Sequence, residues 1–486
     1  MTTPLPTMIR LDRASGTALR TQLYLQLRDA ILSGRLPSGT RLPSTRDLAE
    51  ELDVSRNTAL DAFTQLTSEG YLEGHVGDGT YVSRELPDDL LRSSVVAHAR
   101  TEELAKPTEG EARTLMPVGV ADYRGKPRPF RTSTPALDAF PYATWSRLMT
   151  RRWKLSAREL LTYGDPAGYA PLREATAAYL GATRGVRCTP EQLILTNGSQ
   201  HALAIAASVL LDRGNEVWME DPGFLGARAV FSAAGASLVP VPVDDDGLDV
   251  DAGIERAPHA RLAYVTPSHQ YPLGPTLSLR RRLALLQWAA RSGAWIVEDD
   301  YDSEFRYSGR PLPALQGIDA ADRVIYVGTF SKVLFPSIRT GYIVAPPQLV
   351  PALLAARALS GHPAPALDHA VLCDFIAGGH FARHIHKMRV VYAQRQRALV
   401  SAAARELAGL IELAPSEAGM HLIGWLPPGV DDQLATNAAL ANGVEVTPLS
   451  AYCLEPRSRG ALRLGYTGYG AKQLWEGARR LAVALR

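Results

Sequence analysis

Cysteine is scarce in this chain of 486 residues, and its three copies, Cys188, Cys373 and Cys453, stand far apart. The sequence has no CxxC pair and no cluster of histidine and cysteine at the spacing of metal ligands. It therefore predicts neither a disulfide framework nor a structural zinc site, and no metal is expected. Such cysteine usage is typical of a reducing compartment.

Long apolar runs and an excess of charge of one sign are also missing. No segment approaches the roughly 18 uncharged apolar residues that suggest a membrane span, and the opening MTTPLPTMIRLDRASG lacks the apolar core of a signal peptide. With 52 basic and 50 acidic residues, the molecule is not a polycation that coats nucleic acid or membrane indiscriminately. We therefore expect a soluble, cytoplasmic protein without a membrane partner, whose DNA affinity would come from local arrangement.

Length and composition indicate more than one folded unit. A chain of 486 residues exceeds what one hydrophobic core usually serves, and 46% of its residues are hydrophobic, so two or more domains are expected. Residues 84–128, which include KPTEGEAR and RGKPR, show no sustained period and are predicted to be a linker. The linker would separate a first domain, residues 1–83, from a second, residues 129–486.

The first domain has the pattern of three helices followed by a hairpin. Apolar residues recur at helical spacing over residues 19–31, and Ser44 begins a second helix that runs through Leu52. Ser55 can cap a third helix, whose apolar positions are Leu60, Phe63 and Leu66. The glycine-containing stretch YLEGHVGDGTYV, residues 71–82, predicts two short strands that form a wing.

The second and third helices, joined by a tight turn, predict a helix-turn-helix, which inserts the start of its second helix into the DNA major groove. The residues at that position are Ser55, Arg56, Asn57 and Thr58. Arginine pairs with guanine and asparagine with adenine, so this helix suits direct reading of bases. Arg46, early in the preceding helix, is placed for a phosphate. The alternative is a small helical domain whose polar residues are only solvated.

The stretch LPSTRDLAEELDVSRNTALDAFTQLTSEGYLEGHVGDGTYV resembles the GntR-type winged helix-turn-helix along its whole length. The resemblance implies that Arg46, Arg56, Thr58 and the wing around His75 and Gly77 contact double-stranded DNA. The domain nevertheless offers few cations to neutralise DNA phosphates, because residues 1–83 hold eight arginines, no lysine and ten acidic residues. A dimer that reads two half-sites would compensate.

Beyond the linker, short apolar stretches alternate with segments of helical length. The strand-like stretches are EQLILT, NEVWME, RLAYVT, AWIVED and RVIYVG. Strands that alternate with helices predict an α/β domain with a mostly parallel, buried sheet.

Lys332 stands between small and hydroxyl residues in GTFSKVLFPSIRTG, residues 328–341. A lysine that forms a Schiff base needs an ordered pocket, and the aldehyde cofactor that uses such a lysine, pyridoxal phosphate, has further requirements. The ring nitrogen of the cofactor needs a carboxylate, and the ring needs a flat group to stack on. The phosphate needs a helix N-terminus, hydroxyls and an arginine.

Each requirement has candidates in the sequence. Those for the phosphate lie in the turn TNGSQHAL and around Lys332, and they are Gly198, Ser199, Gln200, Thr329, Ser331 and Arg339. In VEDDYDSEF, Asp299 and Tyr301 are two apart and are expected on one face of a strand, and EDPGFLGAR supplies Phe224 for stacking. Taken singly, these residues have ordinary alternatives: a solvated lysine, a core phenylalanine, and a turn that only caps a helix.

Residues from about 115 to 486 resemble the fold-type I aminotransferases, through the motifs above together with YGDPAGYAPLREA, TPSHQYPLG and LRLGYTG. The resemblance implies a large domain with a mostly parallel sheet and a smaller C-terminal α/β subdomain. It implies that Lys332 forms the Schiff base with pyridoxal phosphate, that Asp299 pairs with the pyridine nitrogen and that Tyr301 contacts the ring hydroxyl.

The same resemblance assigns further contacts. The phosphate would be held by Arg339, Thr329, Ser199 and Gln200. Arg463 would receive the carboxylate of an amino-acid ligand, and Tyr163 would reach in from the second subunit of a homodimer. Two departures concern catalysis: YPLG, residues 271–274, stands where the family has Asn-Pro-Thr-Gly, and the spacing from Asp299 to Tyr301 is shorter than the common one. Either change could lower turnover.

A GntR-type reader, a linker and an aminotransferase-like domain in one chain resemble the MocR family of transcription regulators over essentially the whole sequence. The resemblance implies a regulator that senses pyridoxal phosphate, and an amino acid or amine as second effector, to control genes of vitamin B6 or amino-acid and amine metabolism. Two other hypotheses stay open. One is a working aminotransferase with an attached DNA-binding module. The other is a DNA-binding protein whose large domain only dimerises, although a dimer contact has no need of Lys332, Asp299 and Arg339 together.

Overall fold

The structure is a computed structural model that describes residues 8–75, 78–84, 86, 127–307, 313–361 and 366–486. The chain divides into two compact units, Met1–Arg113 and Thr114–Arg486. Most of the predicted linker lies outside the described residues, so the domain boundaries stay predictions. No helix among the described residues is long and apolar enough to cross a membrane.

The described residues of the first unit form helices and a small antiparallel sheet. The helices are α1 (Leu19–Leu32), α2 (Thr45–Glu51) and α3 (Arg56–Ser68). The strands are β1 (Arg41–Leu42), β2 (Leu72–His75) and β3 (Gly79–Val82), in the spatial order β1, β3, β2. The predicted caps begin α2 and α3: the Ser44 side chain accepts from the Asp47 N–H, and the Ser55 side chain accepts from the Thr58 N–H.

The buried face of α3 differs from the predicted one at Leu60. The residues that α3 contributes to the core are Ala59, Ala62, Phe63 and Leu66. Leu60 is 45% exposed, so the apolar repeat that predicted the helix does not coincide with its buried face at this residue. Each residue turns a helix by about 100°, and two alanines, rather than leucine, complete the apolar stripe.

The second unit is built on a sheet of eight strands. These are β4 (Leu193–Thr196), β5 (Glu216–Asp221), β6 (Ser237–Asp244), β7 (Gly247–Leu248), β8 (Leu262–Val265), β9 (Trp295–Asp300), β10 (Val324–Thr329) and β11 (Gly341–Val344). The spatial order is β4, β11, β10, β9, β8, β5, β6, β7. Strands β10, β9, β8, β5 and β6 are mutually parallel, whereas β11 is antiparallel to both its neighbours and β7 is antiparallel to β6.

Helices cover this sheet, so its central strands are buried along their whole length. The helices of this part of the unit are α4 (Tyr142–Leu160), α5 (Ala170–Arg184), α6 (Ser199–Leu210), α7 (Leu225–Ala233), α8 (Val250–Arg256), α9 (Leu279–Ser292), α10 (Leu315–Ile318) and α11 (Val350–Leu359). The apolar stretches read from the sequence as strands are the strands observed.

A smaller antiparallel sheet lies toward the C-terminus. Its strands are β12 (Glu412–Leu413), β13 (His421–Trp425), β14 (Thr447–Pro448) and β15 (Ala461–Gly465), in the order β12, β13, β15, β14. The accompanying helices are α12 (Ala366–Ala377), α13 (His380–Glu406), α14 (Asp432–Ala441) and α15 (Ala471–Leu485). A mostly parallel large sheet with a smaller C-terminal subdomain was the expected fold class, and it is confirmed.

The topology brings the predicted site residues to one edge of the large sheet. Strands β4, β5, β8, β9 and β10 all point their carboxyl ends at this edge, because β11 is antiparallel to both β4 and β10. At the edge, Gly341 of β11 pairs with Thr196 on one side and with Thr329 on the other. Ligands of open α/β sheets bind outside the carboxyl ends of the strands.

Candidate functional site

Lys332 lies just beyond β10, in a segment held by local hydrogen bonds. The Thr329 hydroxyl accepts from the Ser331 N–H at 3.1 Å and donates to the Thr340 carbonyl at 3.4 Å. Burial lowers the pKa of the Lys332 amine below its ordinary value; Asp302 and Asp299 oppose this effect, and Arg339 adds to it. A lowered pKa increases the neutral fraction of the amine, which is the form that attacks an aldehyde.

Asp299, near the end of β9, has one oxygen engaged and one oxygen without a partner. The Tyr264 hydroxyl donates to Oδ2 at 2.8 Å, while Oδ1 has no hydrogen-bond partner among the described residues. Burial raises the pKa of this carboxyl to about 7, against the lowering effect of the Tyr264 hydrogen bond. A buried acceptor without a donor costs folding free energy, so Oδ1 is suited to receive an N–H group from a ligand.

The neighbouring carboxylates of VEDDYDSEF have structural partners. Glu298 accepts from the backbone N–H groups of Leu315 and Gln316, both at 2.8 Å, and so fixes the start of α10. Asp300 accepts from Arg184 Nε at 2.9 Å and from the Tyr326 hydroxyl at 2.6 Å. Asp299 is therefore the member of this strand end that keeps an acceptor for a ligand.

Tyr301 follows the last residue of β9 and points its hydroxyl at His269. The Tyr301 oxygen lies 2.8 Å from Nδ1 of His269, and the same nitrogen lies 3.1 Å from Oδ2 of Asp302. The Tyr301 hydroxyl therefore sits in a buried polar network that spacing along the chain does not reveal.

The predicted phosphate-binding residues surround the start of α6. A Cβ atom added at Gly198 would lie 3.8 Å from Cζ of Arg339, so the open face of this glycine looks toward the guanidinium. Gly198 has φ of 89°, a conformation that favours glycine, and it precedes Ser199, the first residue of the helix. The hydroxyl of Ser331 has no partner among the described residues. Helix N–H groups and an arginine thus face one space, and the Ser331 hydroxyl, one residue before Lys332, is unengaged among the described residues.

The side chains of Gln200 and Phe224 both lie at the start of α7: Gln200 bonds to the backbone of this helix, and Phe224 immediately precedes it. The Gln200 side-chain amide donates to the Gly226 carbonyl at 2.8 Å, so this side chain is already engaged. Phe224 is half-buried at the start of α7 and meets the Tyr271 ring edge to face, with centroids 5.3 Å apart. The backbone N–H of Gln200, in the first turn of α6, is the group that suits a phosphate.

Arg463, on β15, is buried between two tyrosine rings. Its guanidinium carbon lies 4.9 Å from the ring centroids of both Tyr271 and Tyr452. Nη1 donates to the Tyr271 hydroxyl, and Nη2 donates to the Thr132 hydroxyl. The C-terminal sheet thereby brings a cation to the loop that follows β8.

Tyr163 is not brought into the site by the single chain. Its side chain is 88% exposed, in the segment between α4 and α5. A contribution to the site of a second subunit stays a prediction.

Sequence reasoning missed several residues that shape the site. Tyr264 is a buried residue of β8, and inside RLAYVT it reads as a core residue. His269 lies in TPSHQYPLG, but the motif does not say which group its ring meets. Thr132 follows the predicted linker, and only the fold brings it to Arg463.

The DNA-reading residues lie on the surface of the first unit. Arg56 and Asn57 are exposed in the first turn of α3, and Arg46 is exposed on α2. Thr58 is half-buried, and its hydroxyl lies 2.8 Å from that of Ser55. Neither Arg46 nor Arg56 forms an ion pair with another described residue, which leaves both cations available to DNA.

The wing carries His75 beside an arginine that sequence reasoning missed. His75 is exposed at the end of β2 and contacts the Tyr81 ring edge to face, at 5.3 Å. Gly77 lies outside the described residues. Arg41 of β1 packs against the same hairpin, since a Cβ atom added at Gly79 would lie 3.0 Å from its Nε. In the sequence, Arg41 is the first residue of RLPS, residues 41–44, and its positive charge is the signal that could have identified it.

Two families match the two parts of the chain. The family described as "Bacterial regulatory proteins, gntR family" matches residues 19–82, and "Aminotransferase class I and II" matches residues 114–481. Among solved structures, the chain is similar to a kynurenine aminotransferase of Pyrococcus horikoshii, with a TM-score of 0.69 and 28% identity. That similarity covers 74% of this chain and 91% of the other.

Two relatives share both parts. The probable rhizopine catabolism regulatory protein MocR of Rhizobium meliloti is 42% identical over 98% of this chain and 96% of its own length. The pyridoxine biosynthesis transcriptional regulator PdxR of Corynebacterium glutamicum is 33% identical over 91% of each chain. The chain therefore belongs to the MocR family of transcription regulators, in which a GntR-type helix-turn-helix precedes a class I and II aminotransferase domain.

Proposed function

We propose that this regulator binds pyridoxal phosphate at Lys332 and that occupancy of this site changes its binding to an operator. The observation that carries the proposal is Oδ1 of Asp299, a buried acceptor to which no described residue donates. It lies at the same sheet edge as a lysine whose pKa is lowered. The cofactor has a ring N–H that such an acceptor can receive.

The surrounding residues fit the rest of the cofactor. Gly198, the N–H groups that open α6, the Ser331 hydroxyl and Arg339 would hold the phosphate, and Phe224 and Tyr301 would lie beside the ring. When bound, pyridoxal phosphate supplies an aldehyde carbon that reacts with primary amines. The site is otherwise a set of positioned donors and acceptors.

The residues of the chain have distinct tasks in this proposal. Burial destabilises the ammonium form of Lys332 and so increases the fraction of its amine that is neutral. Asp299 would accept the N–H of the cofactor's ring nitrogen, and Tyr264 fixes the orientation of that carboxyl group. Arg463 provides the charge that would bind the carboxylate of an amino-acid effector.

The regulatory part of the proposal requires a dimer. Two copies would read two half-sites, which compensates for the few cations of the first unit. Ligand binding would then favour one arrangement of the paired readers over another. In a homodimer, the exposed Tyr163 of one subunit could reach the site of the other. The name of the pyridoxine biosynthesis regulator supports target genes of vitamin B6 metabolism. A protein that works on the chromosome would reside in the cytoplasm.

The test uses the full-length protein stripped of cofactor and the DNA upstream of its own and neighbouring genes. We expect added pyridoxal phosphate to change the affinity or the footprint, and Lys332→Ala to lose that change while its fold is kept. Lys332→Ala should also lose the visible absorbance of the bound cofactor. Lys472→Ala, on the exposed face of α15, is the matched control. DNA binding that ignores the cofactor in the parent protein would refute the sensor role.

A second candidate function is transamination. It is favoured by Lys332, Asp299 and Arg463 together in one fold, and by the likeness to a kynurenine aminotransferase. Repeated conversion of an amino acid and a keto acid by the loaded protein would support it. Conversion that stops after one equivalent per site would favour the sensor.

A further inference from the structure

Tyr271 occupies the position at which the aminotransferases have asparagine, and its backbone is fixed on both sides. Its N–H donates to the Thr266 hydroxyl at 2.9 Å, and its carbonyl accepts from the Gln270 side chain at 2.8 Å. The carbonyl of Pro272 lies 2.8 Å from Nε2 of His421. Any movement of Tyr271 is therefore confined to its side chain.

The Tyr271 side chain lies between the predicted cofactor ring contacts and Arg463. Its ring meets Phe224 at 5.3 Å and Tyr301 at 5.5 Å, both edge to face. On its other side it meets Tyr452 at 5.6 Å and covers the guanidinium of Arg463. The Tyr271 side chain thus contacts both the predicted cofactor-ring residues, Phe224 and Tyr301, and the predicted carboxylate site, Arg463.

The hydroxyl of Tyr271 accepts a hydrogen bond from Nη1 of Arg463, and Thr132 accepts one from Nη2. A ligand carboxylate binds arginine best as a bidentate acceptor from two nitrogens. Both terminal nitrogens already donate to neutral hydroxyls here, so the carboxylate has to compete with them.

From this geometry we infer that Tyr271 is a specificity-determining residue: its hydroxyl competes with the carboxylate of an effector for Nη1 of Arg463. The inference rests on the proposed role of Arg463. It assigns the effector to the class of small amino carboxylates, because a carboxylate pairs its own negative charge with the guanidinium and can accept from two nitrogens at once, whereas the uncharged hydroxyl accepts from one and can be displaced. An amine without a carboxylate leaves Tyr271 in place.

The inference also links the two halves of the site. When a carboxylate displaces the Tyr271 hydroxyl, the ring that contacts Phe224 and Tyr301 has to shift, because interiors are close-packed. The arrival of an effector at Arg463 is thereby transmitted to the side chains beside the cofactor.

The test measures binding of propanoate and propylamine to the cofactor-free, full-length protein by calorimetry. These probes carry a carboxylate or an amine alone, so binding does not depend on cofactor chemistry. We expect Tyr271→Phe to bind propanoate about tenfold more tightly than the parent, the ratio for one lost competing hydrogen bond to a charged group. Propylamine should bind both proteins equally.

A second variant and a matched control guard against misfolding. Thr132→Val removes the other competing hydroxyl and should change propanoate binding in the same direction. Tyr392→Phe removes a buried tyrosine hydroxyl that accepts from the Ala136 N–H instead of from Arg463, and it should leave binding unchanged.

Arg463→Gln separates the inference from the proposed function. If this variant loses propanoate while Tyr271→Phe binds like the parent, Arg463 remains the carboxylate site and the competing role of Tyr271 is refuted. If Arg463→Gln binds like the parent, both the effector site and the inference are refuted. Undetectable binding by Tyr271→Phe would also overturn the inference.

Discussion

Tyr264 donates a hydrogen bond of 2.8 Å to Oδ2 of Asp299, and the second oxygen of that carboxylate has no partner among the described residues. The two residues lie on the adjacent parallel strands β8 and β9, so the sheet itself sets their contact. Tyr264 orients the carboxylate and leaves Oδ1 for a ligand. This pair is the feature of the fold that best distinguishes a cofactor site from an ordinary buried acid.

The pH dependence of stability follows from the same carboxyl. Burial raises the pKa of Asp299 from an ordinary 3.8 to about 7, so the folded protein holds this proton more tightly than the unfolded chain does. Stability from this group is present below about pH 4 and is lost as the pH rises toward 7. We expect the melting temperature of the cofactor-free second unit to fall over this window, and Asp299→Asn to reduce the fall.

Calorimetry of the full-length protein between pH 4 and 8 measures this effect. The slope does not vanish in the variant, because burial also raises the pKa of Glu220 and Glu298 to about 7. Asp212→Asn, which changes an exposed carboxylate, is the control and should retain the parent slope. If the melting temperature of Asp299→Asn depends on pH with the same slope as that of the parent, burial does not raise the pKa of this carboxyl.

Arg339 is expected to act on the phosphate of the cofactor and on no other part of it. Its guanidinium faces Gly198 at the start of α6, and a hydrogen bond to a charged group contributes about 1.5–3 kcal/mol. Arg339→Gln should therefore weaken pyridoxal phosphate binding by about tenfold or more in equilibrium titrations.

Pyridoxal, which has no phosphate, is the matched probe for Arg339. The variant and the parent should bind it equally, because the remaining contacts are unchanged. An equal loss for both ligands would mean that Arg339 supports the fold of the segment around Lys332 instead of the phosphate.

The sequence predicted most of the framework because its signals are local. Ser44 and Ser55 cap α2 and α3 where their positions before the helices indicated, and the apolar stretches became buried strands. The proximity of Gly198, Asp299 and Lys332 also follows, since the carboxyl ends of parallel strands meet at one edge. What could not be predicted depends on pairs that are distant in sequence. Arg463 meets Tyr271 and Thr132 only because two sheets pack together.

Arg56 is expected to read a base through α3. It is exposed in the first turn of that helix and pairs with no other described residue, so its guanidinium is available to a guanine. Arg56→Ala should weaken binding to the specific operator by about 1–3 kcal/mol and reduce discrimination against a scrambled site.

Fluorescence anisotropy at one fixed salt concentration measures both affinities for Arg56→Ala. Arg20→Ala removes an exposed arginine of α1 and is the control for loss of charge. If the two variants lose the same affinity on both DNAs, Arg56 contributes charge alone and is not a reader of bases.

Leu60 is exposed on α3, four residues after Arg56, and so lies on the face of the helix that carries the base-reading side chains. An exposed leucine there suits the C5-methyl group of thymine, which offers an apolar contact in the major groove. Leu60→Ala should weaken operator binding by about 1 kcal/mol, the value for roughly one buried methylene group. Leu25→Ala, at a leucine of α1 that is 49% exposed, should leave binding unchanged.

The decisive measurement replaces each operator thymine in turn by deoxyuridine, which lacks the methyl group. At the contacted position the parent should lose affinity and Leu60→Ala should lose no more, because the contact is already absent. If the two losses add at every position, Leu60 contacts no thymine methyl, and its exposure has no part in recognition.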